Sequence, residues 1–321
     1  MKQGRGLIPH DQVMAELKER LSRVASVINS KAIHFVDIPV HGNVGDILIM
    51  SGTLKFLSDY NIRRVQTSAY FNYSPAWAEV DVPIVFQGGG NLGDLYDGPQ
   101  EIRERIISRC LTNRIVILPQ TIHFSSPEKY EACCALFSKH PDLHIFVRDT
   151  KSANLARRMT PNVYLSPDMA HQLWPMKTAK RPQFDQLAFK RTDGERSNSA
   201  RVDESHSIDW PALIGWHGTA VRIYARLGKL SLLRKSKFAA NIHSEIWCRY
   251  AKYLESLSAS HFSRYKKVET DRLHGHILSS LLGIENVVGD NSYGKNGGYI
   301  CCWTRSSNCV TLAEHTEHGK D

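Results

Sequence analysis

The sequence predicts an α/β chain of two facing, doubly wound domains, and three observations carry that reading. Between Ala32 and Leu165 short apolar runs of strand length alternate with amphipathic helical stretches at least four times. Each run ends in a polar or glycine-rich motif, and the carboxyl edge of an open parallel sheet is where ligands bind. At 321 residues the chain can bury two cores. The stretch from Trp174 to Phe184, rich in Lys, Pro and Thr, reads as the linker, which divides the chain into Rossmann-like domains at 1–177 and 178–321 with a cleft between them.

Taken in order, Asp11 caps a helix from Gln12 to about Asn29, because Val13, Leu17, Leu21, Val24 and Ile28 form one apolar stripe. Ala32–Pro39 is a strand, His41–Asp46 (HGNVGD) a turn, and Ile47–Tyr60 a helix. Gly42 and Gly45 allow close backbone approach, while Asn43 and Asp46 offer an amide and a carboxylate at the helix start. The same pattern also reads as a tight turn with an Asp N-cap. Val82–Gln87 is the next strand, Gly88–Asp94 (GGGNLGD) a loop, and Pro99–Cys110 a helix. Three successive glycines are costly to order, so Gly89, Gly90, Asn91 and Asp94 become candidate ligand contacts. Arg114–Pro119 and Leu143–Val147 are strands, followed by helices Pro127–Lys139 and Ser152–Met159. Arg148 stands at the second junction, and Val163–Leu165 is a short strand before Ser166-Pro167-Asp168.

In the second half Gln186–Lys190 restarts strand character and Arg191 follows it. Arg196–Ser207 is polar and poor in apolar residues, a loop suited to act as a lid. From Gly218 to Phe238 basic residues interleave with apolar ones, which fits peripheral contact with an anionic membrane, a lipid diphosphate, or a solvated helix face. A helix from Ala239 to Leu257 follows. Lys267–Lys295 then carries an apolar lead-in, a polar burst from Thr270 to His276, a helix Ile277–Leu282 and a strand Asn286–Gly289. Asp271, Arg272, His274 and His276 thus stand at a loop-to-helix junction whose unpaired amides favour negative charge. That combination suits an anionic ligand with an acid or base beside it. The tail from Thr304 is polar and expected to fray.

Composition narrows the classes. A net charge of +9 points to nucleic acid, a membrane surface or an anionic substrate, and with no nucleic-acid-binding motif present nucleic acid ranks last. Seven scattered cysteines without C-x-x-C spacing read as reduced thiols. His274-x-His276 could start a metal pair, but only scattered aspartates accompany it, so no metal is expected. With neither a leader nor an apolar run long enough to cross a bilayer, the chain is expected in the cytoplasm.

Several motifs together resemble one family. Thr270–Ile284 (TDRLHGHILSSLLGI) followed by Asp290–Lys295 (DNSYGK), with HGNVGD, FQGGGNLGD (Phe86–Asp94), VRDTKS (Val147–Ser152), SPDMA (Ser166–Ala170) and FKRTDGE (Phe189–Glu195), are similar to the polysaccharide pyruvyl transferases and occur in that family's order. The resemblance implies a GT-B-like pair of Rossmann-like domains and transfer of a pyruvyl group from phosphoenolpyruvate to hydroxyls of a hexose. The acceptor would be a polysaccharide or its lipid-linked precursor at the inner face of the membrane, the product a pyruvate ketal, and no cofactor is implied. It also places ligand-binding arginines at Arg272 and Arg148.

Phosphoenolpyruvate carries a carboxylate and a phosphate, so its site needs several forked cations, and Arg148, Arg191 and Arg272 are the candidates. His274 is the candidate proton carrier, with Asp271 or Asp168 as its partner. Asn43, Asp46, Asn91 and Asp94 would bind sugar or phosphate; Lys295 joins the substrate-binding set. His276 is grouped with that set, although its position two residues on points it elsewhere and suits a structural role. Asn296–Trp303 departs from the regularity of the preceding signature. Two alternatives use the same residues: a GT-B glycosyltransferase holding a nucleotide sugar, for which no nucleotide fingerprint is visible, and a glycan- or phosphate-binding module that does not require His274.

Overall fold

A computed structural model describes residues 6–191, 207–290 and 295–313, with Lys295 described by its backbone only. The expected lid, Arg196–Ser207, lies outside the described residues except for Ser207. In chain order the elements are α1 (His10–Arg20), α2 (Ser22–Ile28), β1 (Ala32–Val36), α3 (Val44–Asp59), β2 (Arg63–Ser68), β3 (Ile84–Phe86), β4 (Gly89–Gly93), α4 (Asp97–Arg109), β5 (Ile115–His123), α5 (Pro127–Phe137), β6 (Leu143–Val147), α6 (Thr150–Ala156) and β7 (Val163–Leu165). There follow β8 (Phe184–Phe189), α7 (Trp210–Ile214), α8 (His217–Leu227), α9 (Ser231–Lys235), α10 (Lys237–Phe262), β9 (Tyr265–Thr270), α11 (Leu273–Leu281), β10 (Glu285–Val288), α12 (Lys295–Trp303) and β11 (Val310–Leu312).

Two compact units result. The larger holds residues 18–173 and 214–255, the smaller residues 1–17, 174–213 and 256–321. This is a different division from one crossing at 177/178, and long-range contacts account for it. Ile8 bridges Ser307, and His10 bonds the Ser307 hydroxyl and the Ser280 carbonyl, which ties the N-terminal segment to the smaller unit. Residues 214–255 belong to the larger unit because α10 covers its edge strand β2. There Asn241 accepts from the Thr67 amide and Glu245 pairs with Arg64 at 2.7 Å. An exposed edge amide needs such a partner, and composition does not reveal which segment supplies it.

The larger unit is built on a seven-stranded parallel sheet in the order β2-β1-β3-β5-β6-β7, with β4 also paired to β5. Strands buried on both faces explain the near-continuous apolar runs IVF and LHIFV. The smaller unit carries a four-stranded parallel sheet in the order β11-β10-β9-β8.

Three expectations change. The first helix is broken at Leu21 into α1 and α2, although its stripe Val13, Leu17, Leu21, Val24 and Ile28 is buried throughout. The glycine-rich stretch is a strand rather than a loop: β4 lies so close to β5 that a Cβ on Gly93 would sit 1.7 Å from the His123 carbonyl oxygen, at φ 131°. The tail beyond Thr304 is not frayed as far as it is described, since β11 adds to the smaller sheet beside β10. All seven cysteines are free and four are buried. Among the described residues no helix is long and apolar enough to cross a membrane.

Candidate functional site

Both sheets present polar residues at their carboxyl edges. In the smaller unit β8, β9 and β10 run parallel, so Arg191, Asp271-Arg272 and Gly289-Asp290 emerge from one edge. The helix after β9 starts at Leu273, four residues before the expected Ile277, which puts both histidines inside its first turns. Gly275 is required there, because a Cβ would lie 2.5 Å from the Thr270 hydroxyl and 3.0 Å from the Phe189 ring.

Two residues along a helix is a rotation of about 200°, so the two imidazoles face opposite ways. His276 points inward and has no exposed surface. The Asn286 amide nitrogen donates to the Ile284 carbonyl, so its oxygen faces the ring and takes the His276 Nδ1 proton at 2.7 Å. Nε2 then accepts from the Thr304 hydroxyl at 3.0 Å. Burial pushes this imidazole down to about 4, so it is neutral. With both nitrogens engaged and no exposure, His276 is a packing residue and not a substrate contact. His274, half-buried, takes the other side of α11.

Arg272 is held by an acid from outside its own motif. Its Nε and Nη2 fork onto both oxygens of Asp209, the Nη2 bond being 2.6 Å. The pair is nearly enclosed, at 11% and 2% side-chain exposure. Asp209 is held in turn by an aromatic cluster, since Trp210 packs against Phe189 and Phe262 at ring separations of 4.4 and 5.9 Å. Asp271 instead accepts from the Arg191 amide at 2.8 Å. Burial raises its carboxyl pKa above the usual carboxylate range, against the pull of that amide and of Lys190, Arg191 and Arg272. Asn296 closes the edge by donating to the carbonyls of Asp271 (2.6 Å) and Gly289 (2.9 Å), while its amide reaches Asp290. Asp209 and Asn296 were not singled out from the sequence: Asp209 is 63 positions from its arginine, and Asn296 opens the segment that reads as irregular.

At the carboxyl edge of the larger sheet Asn43 is the N-cap of α3, accepting from the Gly45 amide and donating to Asp46 at 2.8 Å, with His41 3.7 Å from that carboxylate. Asn91 sits in a buried network. Arg103, fully buried, donates to Asp37 at 2.6 Å and to the side-chain and main-chain oxygens of Asn91, and Gln120 donates to Asn91 as well. Burial raises the Asp37 pKa even with Arg103 against it. Asp37 adopts φ 67° where β1 ends, a conformation uncommon outside glycine. Neither Asp37 nor Arg103 carried a sequence signal beyond lying in a strand end and a helix. Gly89 is buried at φ 139° and Gly90 is half-buried beside Asn91.

Three expected ligands are engaged internally. Asp94 accepts from the amides of Ser125 and Ser126 and the Ser125 hydroxyl, and these bonds hold its carboxyl below the usual range against the opposing effect of burial, which makes it a brace for the turn before α5. Arg148 and Asp168, at 1% and 0% exposure, form an ion pair at 2.5 Å; Thr121 accepts a further bond from Arg148, and the Ala170 amide donates to Asp168. A guanidinium so enclosed organises the edge from below instead of presenting itself to solvent. Of the three arginines, Arg191 and Arg272 stand together in the smaller unit and Arg148 in the larger. The Lys295 side chain lies outside the described residues. Among the described residues no three His, Cys, Asp or Glu side chains are grouped to hold a metal.

Fold and edges define an α/β protein of two parallel sheets whose carboxyl ends carry arginine–carboxylate pairs, a polar chemistry suited to anionic ligands. A crystal structure of an uncharacterised protein from Klebsiella pneumoniae subsp. pneumoniae shares the fold, with a TM-score of 0.62 at 21% identity over 93% of this chain and 98% of that one. A Bacillus subtilis (strain 168) protein named "Putative pyruvyl transferase EpsO" is 39% identical over 308 residues, 94% of this chain and 95% of its own. "Pyruvyl transferase 1" of Schizosaccharomyces pombe is 27% identical over 85% of this chain and 70% of its own. The polysaccharide pyruvyl transferase family model matches residues 43–293, and the chain belongs to that family.

Proposed function

We propose that this chain is a cytoplasmic phosphoenolpyruvate-dependent pyruvyl transferase that forms a pyruvate ketal on two hydroxyls of a hexose, in a polysaccharide or its lipid-linked precursor, without a metal or cofactor. Beside family membership, the observation that carries the reading is the carboxyl edge of the smaller sheet. There Arg272 is fixed by Asp209, Asp271 has an upward-shifted pKa, and His274 stands in the first turn of α11.

In this reaction the vinyl carbon of phosphoenolpyruvate gains a proton and becomes a methyl group. The two sugar oxygens bond to C2 as its phosphate ester bond breaks. Of the two hydroxyl protons released, one balances the methyl group and the other leaves on phosphate. Arg272, oriented by its fork onto Asp209, meets the carboxylate or phosphate together with Arg191. His274 carries a proton between hydroxyl and vinyl carbon, and Asp271 is its acid–base neighbour. Arg148 and Asp168 support the larger edge from within, and Asn43, Asp46, Asn91 and the glycine backbone at Gly89 and Gly90 meet hydroxyl groups.

The test is phosphate release from phosphoenolpyruvate with hexose and polyprenyl-diphosphate-linked oligosaccharide acceptors, run beside His274→Ala. Acceptor-dependent release that falls by about 10²-fold or more in the variant is expected. Equal rates in the two proteins would remove His274 from the chemistry, and turnover of a nucleotide sugar in place of phosphoenolpyruvate would replace the reaction class.

A further inference from the structure

Nine of the sixteen exposed large apolar side chains of the described residues fall between Trp216 and Tyr253, within the larger unit. Their arrangement follows from how α8 and α10 pair. The His217 ring bonds the Tyr250 hydroxyl at 2.6 Å, while the Tyr224 hydroxyl donates to the His243 carbonyl at 2.6 Å. Early residues of α8 therefore meet late residues of α10, and the helices are antiparallel. Tyr224 stacks on His243 at 4.4 Å and fills the seam.

At about 100° per residue, Trp216, Ile223 and Leu227 project to one side of that seam. Ile242, Ile246 and Tyr253 of the antiparallel partner project to the same side. The stripes join into one apolar face, continued by Leu230, Leu232 and Phe238, the last two exposed to 70% and 75%. The opposite side of α10, with Ala240, Ser244, Trp247 and Ala251, is fully buried, and Asn241 and Glu245 tie the flank of the helix to β2, so this face is not a surface left over from loose packing.

Between Trp216 and Tyr253 the charge is overwhelmingly of one sign, and the Glu79 carboxylate that approaches Lys237 beside Phe238 is paired with it at 2.6 Å. Arg222 and Arg226 flank the face along α8, Arg249 along α10, and Arg234 and Lys235 lie on α9, all exposed. Glu245 is the one acidic residue between Trp216 and Tyr253, and Arg64 holds it. A second copy of this chain would bring the arginines against their own kind. A nucleic acid would leave the apolar side chains without a partner. Aromatic and aliphatic side chains ringed by arginine and lysine match the interface of a bilayer with acidic headgroups. We propose that α8, α9 and α10 form a docking face for an anionic lipid bilayer, with the apolar stripe entering the headgroup boundary and the arginines meeting lipid phosphates. This is independent of the reaction assigned above.

The experiment is co-sedimentation of the full chain with vesicles of phosphatidylcholine alone and of an equimolar mixture with phosphatidylglycerol. The native chain is expected to bind the mixed vesicles and not the neutral ones. Combined Trp216→Ser, Ile223→Ser and Ile246→Ser substitutions, all at exposed positions, should lower partitioning by about 10²-fold or more. Arg222→Glu with Arg226→Glu should lower it by about tenfold, and high salt should do the same. Circular dichroism confirms that each variant is folded. Three results would overturn the proposal: no binding to mixed vesicles, full binding by the triple variant, or a self-associated native chain that ignores vesicles and becomes monomeric in the triple variant.

Discussion

Replacing Asp209 by Ala tests how the arginine of the smaller edge is held. The substitution removes both charge-assisted bonds to Arg272 and leaves the guanidinium without its carboxylate in a setting where it is 11% exposed. Breaking one side of such a pair costs about 3–5 kcal/mol, and the residual exposure of Arg272 places this case near 3 kcal/mol. The double variant Asp209→Ala/Arg272→Met removes the orphaned charge as well and should recover all but about 1 kcal/mol. Urea unfolding followed by tryptophan fluorescence reads the difference as a midpoint lowered by about 1 M in the single variant and largely restored in the double. Phosphate release should be lost in both, because neither presents a fixed guanidinium. A double variant no more stable than the single one would refute the buried-charge argument. A single variant with native stability would show that the pair is not holding the edge at all.

Acid should destabilise the fold through His276. Its folded pKa of about 4 lies below the ordinary 6.5, so the unfolded chain binds the extra proton between those values, and stability present above pH 6.5 is lost as the pH falls toward 4. The loss amounts to about 3 kcal/mol for this group, and His276→Gln should flatten that part of a urea-midpoint profile. If the profile keeps its slope in the variant, other groups dominate acid unfolding. Gly93→Ala should abolish a stable fold, because its Cβ would overlap the His123 carbonyl at 1.7 Å, whereas Gly215→Ala, at φ 51° with nothing within 4 Å, should cost about 1 kcal/mol. Thermal melting distinguishes the two, and comparable melting points would show that β4 can move away from β5.

The parallel character of the larger sheet, though not its strand order, was legible because strands alternate with helices and the runs RIVILP and LHIFV read as buried strands. β2 was not, since Val65 is the single apolar residue of RRVQTS and the strand is completed by Asn241 and Glu245 from a helix far along the chain. The same limit governs α12 and β11, whose pairing partners lie in the preceding motif rather than in their own composition. At the site, the loop-to-helix junction could be read from Thr270 to His276, yet the start of α11 was misplaced because polar residues in a first turn resemble a loop. Once the helix begins at Leu273, the 200° between His274 and His276 separates a packing imidazole from one that is left half-buried.

Arginine pairing shows why motif neighbours mislead. Arg148 and Arg272 each stand next to an aspartate in sequence, yet Arg148 pairs with Asp168 and Arg272 with Asp209, while the Arg191 amide donates to Asp271. Adjacent residues at a strand end point to opposite faces, so a carboxylate beside an arginine is poorly placed to grip it, while one arriving from another element can approach in the plane of the fork. Asp149 caps α6 by accepting from the Ser152 amide and hydroxyl. The acidic neighbours in VRD and TDR serve helix starts and backbone amides, and the arginines are held by acids 20 and 63 positions away in the chain. A site of this kind is recognised from sequence by its junctions, and its working geometry is set by the distant carboxylates.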